Sequence, residues 1–262
     1  MPDIRGRFVW YENLTGDVDA AIAFYRAVVG WNTQSWTGMG EPYHMFAKGE
    51  AILAGVMKMP PEAEMPPHWL GYIGTPDVKA TTARAEALGA RVWVKLMEIP
   101  TVGTFSVIQD PQGAVFAAYS PVNPPTGPAK WADIGEFAWH ELATTDIDAA
   151  WAFYSDLFGW VKKSALDMGP AGVYQVYGLP SLDLGGIYRK PADMPGPPSW
   201  TFYVRVADLE DAVGKVKSNG GSVVQEPMDV PGGGRIAMCL DPQGAAFALL
   251  GTAATAAEPV AL

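Results

Sequence analysis

FVWYENLTGDVDAAIAFYRAVVGW at residues 8–31 returns as FAWHELATTDIDAAWAFYSDLFGW at residues 137–160, with about half of the positions identical. A second pair of words closes each copy, DPQGAVFA from Asp110 to Ala117 and DPQGAAFA from Asp241 to Ala248. The second pair stands two residues further apart than the first, so one small insertion separates two copies of the same unit. Units of this length are duplicated domains, since solenoid repeats run to about 20–50 residues. The proline-rich run PVNPPTGPAK at 121–130 has no hydrophobic periodicity and reads as a semi-rigid spacer. The expected organisation is a first domain over 1–121, a linker over 122–130 and a second domain over 131–262. Duplicated domains commonly pair about a pseudo-two-fold axis, as homodimers do. This chain is therefore expected to pair its own two domains, which a monomer can do.

Within the first copy, FVWYEN alternates aromatic and polar residues as a half-buried strand does. Asp17 then suits an N-cap, Ala20, Ala21, Phe24 and Val28 recur at helical spacing, and Gly30 can close the helix. Strands are expected near 31–36, 43–47 and 51–58. The same order recurs from WLGYIGT onward: Asp77 caps a helix over 78–88 that Gly89 stops, and strands follow near 90–95, 103–109 and 114–119. The second copy repeats the pattern with Asp146 and Gly159, then with Asp208 and Gly220. Its last helix, over 209–217, keeps Gly214 in its interior at a cost of about 1 kcal/mol relative to Ala. The chain reads as four βαβββ modules in two pairs. That is an α+β architecture with helices on one face of curved, mixed and mostly antiparallel sheets.

The chain has 262 residues, enough for two hydrophobic cores, with 49% hydrophobic and 18% charged residues. A formal charge of −10 argues against a nucleic-acid partner, which needs a basic patch. No apolar stretch approaches the roughly 20 residues that span a bilayer, so no membrane partner is expected. MPDIRGRF lacks the apolar h-region of a secretory signal, and a cytoplasmic location is expected. The single cysteine, Cys239, excludes an intrachain disulfide; in the run IAMCL it reads as a small buried residue.

The words Asp-x-x-x-A-x-x-FY…GW, from Asp17 to Trp31 and from Asp146 to Trp160, together with the two DPQG turns, resemble the vicinal oxygen chelate superfamily. The W-x-E of the first strand and the PPxW before the fifth resemble its tandem glyoxalase/bleomycin-resistance-like branch. The resemblance implies two glyoxalase-like domains whose sheets cup a small molecule. In the superfamily's enzymes a divalent metal in the cup chelates two vicinal oxygens of the substrate. Its ligands are His, Gln or Glu from the first and fifth strands and Glu from the last. Carried over position by position, those ligands fall on Trp10 and Trp139, Leu70 and Thr201, and Ala117 and Ala248. Indole and alkyl groups offer no lone pair, and a lone threonine hydroxyl is a weak ligand. No metal residues and no cofactor are therefore expected, and a divalent metal would need a non-standard site. Such a site would draw on His68, which shares the face of Leu70, with Glu12 or Glu141. His140, next to Trp139 and on the opposite face, reads as a packed structural residue, and His44 aligns with nothing catalytic.

Trp10 and Glu12 share one face of the first strand, as do Trp139 and Glu141. An apolar wall with a few placed polar groups is the make-up of a small-molecule pocket. The glutamates read in two ways. A carboxylate desolvated beside tryptophan suits general acid or base work; alternatively each Glu accepts structural hydrogen bonds while each Trp fills the core. Tyr72 and Tyr203, at matched positions, join Leu70 and Thr201 as ligand-binding candidates. Arg235, after Gly232 to Gly234, reads as an anion contact, although no helix follows to make a phosphate loop. Adaptable methionines, among them Met39, Met57 and Met168, would suit a flat apolar ligand. Two functions follow. One is a protein that binds a small, aromatic or apolar molecule without the usual metal. The other is an enzyme, a lyase, isomerase or dioxygenase-like member, using Glu12 or Glu141 as acid/base or a relocated metal.

Overall fold

The computed structural model describes residues 4–38, 42–60, 65–231 and 233–252; Met39 and Gly232, singled out above, lie outside the described residues. Four βαβββ modules follow one another. The first holds β1 (Phe8–Thr15), α1 (Val18–Val29), β2 (Asn32–Trp36), β3 (Tyr43–Lys48) and β4 (Ala51–Lys58). The second holds β5 (His68–Gly74), α2 (Val78–Ala87), β6 (Arg91–Ile99), β7 (Gly103–Gln109) and β8 (Val115–Pro121). The third holds β9 (Phe137–Thr144), α3 (Ile147–Phe158), β10 (Val161–Asp167), β11 (Val173–Leu179) and β12 (Leu182–Arg189). The fourth holds β13 (Ser199–Arg205), α4 (Leu209–Ser218), β14 (Ser222–Val230), β15 (Gly234–Leu240) and β16 (Ala246–Thr252). The α+β organisation read from the repeat is therefore the observed one. The strands form two mixed eight-stranded sheets, ordered β2-β3-β4-β1-β5-β8-β7-β6 and β10-β11-β12-β9-β13-β16-β15-β14. In each module the last three strands pair antiparallel and the last returns parallel to the first.

The helices begin and end where local chemistry dictates. Asp17 and Asp146 each accept a hydrogen bond from the amide three residues on, at 3.0 Å, and Asp77 and Asp208 do the same at 2.9 Å. Each cap satisfies an amide that the first helical turn leaves without a partner. Gly30 and Gly159 close α1 and α3 in the left-handed region, at φ 74° and 68°. The α2 helix stops one residue short of the sequence reading, at Ala87, with Leu88 as its C-cap.

Packing groups the modules into two compact units, and each unit draws one module from each repeat. Unit 1 comprises Met1–Tyr11, Leu70–Trp131 and Trp139–Thr201; unit 2 comprises Glu12–Trp69, Ala132–Ala138 and Phe202–Leu262. In unit 1, α2 packs with α3, and Arg84 clasps Asp156 through two hydrogen bonds of 2.7 and 2.8 Å. This pair is exposed, so water screens it and it contributes little. In unit 2, α1 packs with α4.

The core of each unit is organised around a buried aspartate. In unit 1, Asp110 is 3% exposed. Its Oδ1 accepts the amides of Gln112, Gly113 and Ala114 at 2.9, 2.7 and 3.0 Å, which folds the DPQG turn around the carboxylate. Its Oδ2 accepts the hydroxyl of Tyr154 at 2.9 Å, and that hydroxyl in turn accepts the indole N–H of Trp200 at 3.2 Å. Trp160 stacks on Tyr154 with centroids 5.5 Å apart and donates to the Gly6 carbonyl at 2.8 Å. Unit 2 repeats the arrangement with exchanged parentage. Asp241 accepts Tyr25 at 3.2 Å, Trp69 donates to Tyr25 at 2.7 Å, and Trp31 donates to the Gly135 carbonyl at 2.7 Å. Burial raises both carboxyls above the usual aspartate range, while the turn amides and the tyrosine pull them back. Burial first, then the neighbouring carboxylate, pushes Tyr154 and Tyr25 up, so both remain donors.

His140 lies in the same core as Trp160 of unit 1, as a packed residue. It stacks on Phe8 at 3.9 Å. Its Nδ1 donates to the Leu184 carbonyl at 2.8 Å, so Nε2 is the nitrogen that accepts the Tyr11 hydroxyl, at 2.5 Å. Burial pushes the imidazole down to about 4, against a small opposing effect of the Leu184 carbonyl. Cys239 is buried as read, and burial first pushes its thiol up to about 12.

Two predictions follow from these cores. Tyr154→Phe and Tyr25→Phe each strip a donor from a buried carboxylate and are expected to cost about 1–3 kcal/mol in urea unfolding; unchanged midpoints would mean the bonds are not structural. For His140, the unfolded chain takes up a proton near pH 6.5 and the folded chain only near 4. Stability therefore falls as pH drops through that window, by about 3 kcal/mol from this residue. His140→Gln should flatten the unfolding free energy between pH 7 and 4.5 relative to wild type, and parallel pH curves would contradict the assignment.

Candidate functional site

The repeated W-x-E glutamates sit in two related constructions. In unit 2, β1 pairs with β4 so that Glu12 stands opposite Gly55. The Tyr43 hydroxyl, from β3, reaches over that glycine and donates to Glu12 Oε1 at 2.7 Å. In unit 1, Glu141 of β9 stands opposite Gly186 of β12, and the Tyr174 hydroxyl from β11 donates to Glu141 Oε1 at 2.7 Å. Only glycine permits this crossing. A Cβ at Gly55 would lie 1.8 Å from the Tyr43 hydroxyl, and one at Gly186 would lie 2.0 Å from Tyr174 Cζ. Each carboxylate is thus clamped by a ring laid across the intervening strand.

The unit 1 construction carries more rings. Trp139 donates its indole N–H to the Tyr174 hydroxyl at 2.8 Å, completing an indole–phenol–carboxylate chain. Tyr188, the cross-strand partner of Tyr174, lies within 19° of parallel to it with centroids 6.1 Å apart. Trp131, at the end of the proline-rich linker and 42% exposed, leans on Trp139 at 6.2 Å. The Tyr188 hydroxyl faces Met194 Sδ, and Lys190 turns its ammonium onto the Met194 carbonyl. Burial, then the Glu141 charge, raises the hydroxyls of Tyr174 and Tyr188. Both phenols are therefore neutral donors at any physiological pH.

The other residues read from sequence fall as follows. In unit 1, Trp10 is half-buried, and Leu70, Tyr72, Ala117 and Thr201 are buried. Tyr72 pairs in register with Ala117 and packs against Phe105 and Tyr119 at 5.7 and 5.8 Å. In unit 2, Tyr203 pairs with Ala248 and points its hydroxyl at Met238 Sδ, 3.4 Å away. At both metal-ligand positions on the last strands, then, a large phenol stands beside an alanine. His68 is half-buried, its Nδ1 donates to the Pro66 carbonyl at 2.8 Å, and burial lowers its pKa. Arg235 is engaged by Glu210 and, at 3.1 Å, by Asp229. Tyr43, Tyr174, Gly55 and Gly186 were not read from the sequence as site residues. Their signal was available, because tyrosine and glycine both recur at the spacing of the DPQG turns.

The donor set does not fit the superfamily's metal. The six ligand positions present indole, alkyl and one hydroxyl, and among the described residues no group of three or more His, Cys, Asp and Glu could hold a metal ion. A cleft of about 240 Å³ opens in unit 1 beside Arg5, Asp77, Arg84 and Asp156, and it shares no residue with the Glu141 cluster. Among the described residues no helix is long and apolar enough to cross a membrane.

The crossing of Tyr174 over Gly186 is open to test. Gly186→Ala is expected to destabilise by about 1–3 kcal/mol through the enforced clash. In a Tyr174→Ala background the same substitution should cost little, so a double-mutant cycle reports the contact directly. Additive costs would show that the ring does not cross there.

The model of the Glyoxalase/Bleomycin resistance protein/Dioxygenase superfamily matches residues 7–117 and again residues 134–249. A Mycobacterium tuberculosis protein named as a glyoxylase, CFP32, is 33% identical over 246 residues, which cover 92% of this chain and 93% of that protein. The anthracycline biosynthesis protein DnrV of Streptomyces peucetius is 29% identical over 272 residues, covering 94% and 93%. The Mn(II)-bound glyoxalase from Novosphingobium aromaticivorans superposes with a TM-score of 0.61 over 95% of this chain and 82% of that one; at 17% identity the likeness speaks for the fold alone. Matched twice by the family model, and carrying the DPQG turns and FY…GW helices at their structural places, the chain belongs to the Glyoxalase/Bleomycin resistance protein/Dioxygenase superfamily as two tandem domains.

Proposed function

We propose that this protein binds a small, aromatic or apolar molecule in the cups of its sheets, without the usual metal site. The observation that carries this reading is the Glu141 cluster. A carboxylate is clamped by Tyr174 beside Tyr188 and Trp139, and Trp139 stands where the resemblance to the superfamily implies a first-strand metal ligand. Pockets with aromatic walls and a few fixed polar groups bind flat organic molecules. A relative named for anthracycline biosynthesis accords with an aromatic ligand. The domain limits 1–121 and 131–262 and a cytoplasmic location belong to the same proposal.

A second reading is favoured by the Tyr174–Glu141 bond itself. A carboxylate with a phenol donor at 2.7 Å is equipped to take up or release a proton from a bound carbonyl compound. In that case the protein is a lyase, isomerase or dioxygenase-like enzyme, and Glu12 or Glu141 is its acid/base.

Calorimetric titration with a panel of planar aromatic compounds, alongside metal analysis of the purified protein, separates the readings. Binding without turnover and without stoichiometric metal is expected. Trp139→Phe should weaken binding by about threefold to tenfold, the size of a lost ring contact or hydrogen bond. Stoichiometric tightly held metal would overturn the metal-free reading. Affinities unchanged by both Trp10→Phe and Trp139→Phe would overturn the cup assignment. Turnover lost in Glu141→Gln with binding retained would establish the enzyme.

A further inference from the structure

We propose that the Tyr11–His140 pair is a pairing selector: it fits the first repeat to a second repeat and not to another copy of itself. The two residues stand at matched places, in the middle of Trp10-Tyr11-Glu12 and Trp139-His140-Glu141. They also touch one another. The Tyr11 hydroxyl lies 2.5 Å from His140 Nε2, and the rings are within 10° of parallel with centroids 5.7 Å apart. Both side chains are buried, at 7% and 4% exposure. Where a residue meets its own counterpart, pairing two identical repeats sets like against like.

Neither like pair fits. His140 donates from Nδ1 to the Leu184 carbonyl at 2.8 Å, which makes Nε2 an acceptor. Two histidines held this way bring two acceptors face to face, and the bond is lost. Protonation does not relieve them at neutral pH, because burial pushes the His140 imidazole down to about 4. Two tyrosines fail for a different reason. A phenol reaches further than an imidazole, and the space is already closed, since Phe8 stacks on His140 at 3.9 Å. A second phenol overpacks it. One hydroxyl donor against one imidazole acceptor satisfies both size and polarity. Discrimination of this kind comes from the misfit of the wrong partner as much as from the fit of the right one.

The surroundings have diverged with the pair. Tyr177 donates to the His140 carbonyl at 3.1 Å, and a Cβ at Gly185 would lie 1.8 Å from that oxygen. The matched residues of the first repeat are Phe46, which has no hydroxyl, and Ala54, which has a Cβ. The close approach that Gly185 allows is therefore closed to the first repeat. The buried aspartate locks are alike in the two units and do not tell one repeat from the other. The Tyr11–His140 pair does.

Two measurements on the full chain test this. Tyr11→His and His140→Tyr each create a like pair, and each is expected to lower Tm by at least about 3 °C. The exchanged chain, with both substitutions, restores an unlike pair and should recover at least about half of the summed loss. A loss in the exchanged chain equal to that sum overturns the pair. Choice of partner is read by unfolding the two single variants in urea and refolding them together. A first repeat from either chain then meets an unlike second repeat only in the other chain. With each chain at about 0.1 mM, a linker that holds its own repeats at an effective concentration on the order of 1 mM disfavours exchange by about tenfold. Each like pair relieved is worth about tenfold or more, so two outweigh the linker. Native mass spectrometry, with one chain isotope-labelled, is expected to show a species holding one copy of each variant, and no two-chain species from either variant alone. Variants that fail to fold alone still report, since only their mixture then yields folded protein. A mixture without the mixed species, or as much two-chain species from each variant alone, overturns the selection.

Discussion

Asp110 and Asp241 have almost no access to water, and a buried carboxylate is tolerable only when donors meet its lone pairs. Oδ1 of Asp110 is met locally, by three amides of the turn that the DPQG word forms. Oδ2 needs a donor from elsewhere, and in each unit that donor is a tyrosine from the other repeat. The tyrosine hydroxyl then has a lone pair of its own to satisfy, and the indole of Trp200 or Trp69 fills it. Three separate sequence words, FY…GW, PPxW and DPQG, are thus one hydrogen-bonded chain. Because the aspartate and the tyrosine come from different copies, neither repeat completes its own turn.

This lock explains which features the duplication retained and which it released. Positions that serve the aspartate are the same in both copies. Around the glutamates the copies differ: Met57 stands on β4 where the second copy has Tyr188 on β12. The shared device is the tyrosine laid over a glycine onto a glutamate. The walls around it vary. A scaffold closed by buried aspartates can change its pocket walls at little cost to its cores, which is how one fold hosts many chemistries.

Much of the fold was legible because its signals are local. An N-cap aspartate and a left-handed glycine act within one helical turn, and Asp17, Asp146, Gly30 and Gly159 are where the sequence puts them. The W-x-E words were legible because they repeat. The clamp on them was not. Tyr174 lies more than thirty residues from Glu141 and becomes its neighbour only through the strand order β11-β12-β9, which periodicity does not encode. The grouping of modules was hidden for the same reason. Sequence duplication marks where the copies begin and end, whereas compactness follows the place where Asp110 finds Tyr154.

The remaining question is why the clamped residue is a glutamate at all. Tyr174 needs an acceptor, and the amide oxygen of a glutamine would serve it without the cost of desolvating a charge. Asp110 illustrates the contrast: three turn amides converge on one of its oxygens, and a single amide oxygen with two lone pairs is a poorer match for that many donors. At Glu141 the charge strengthens a single bond, because a carboxylate oxygen is a better acceptor for the Tyr174 phenol than an amide oxygen.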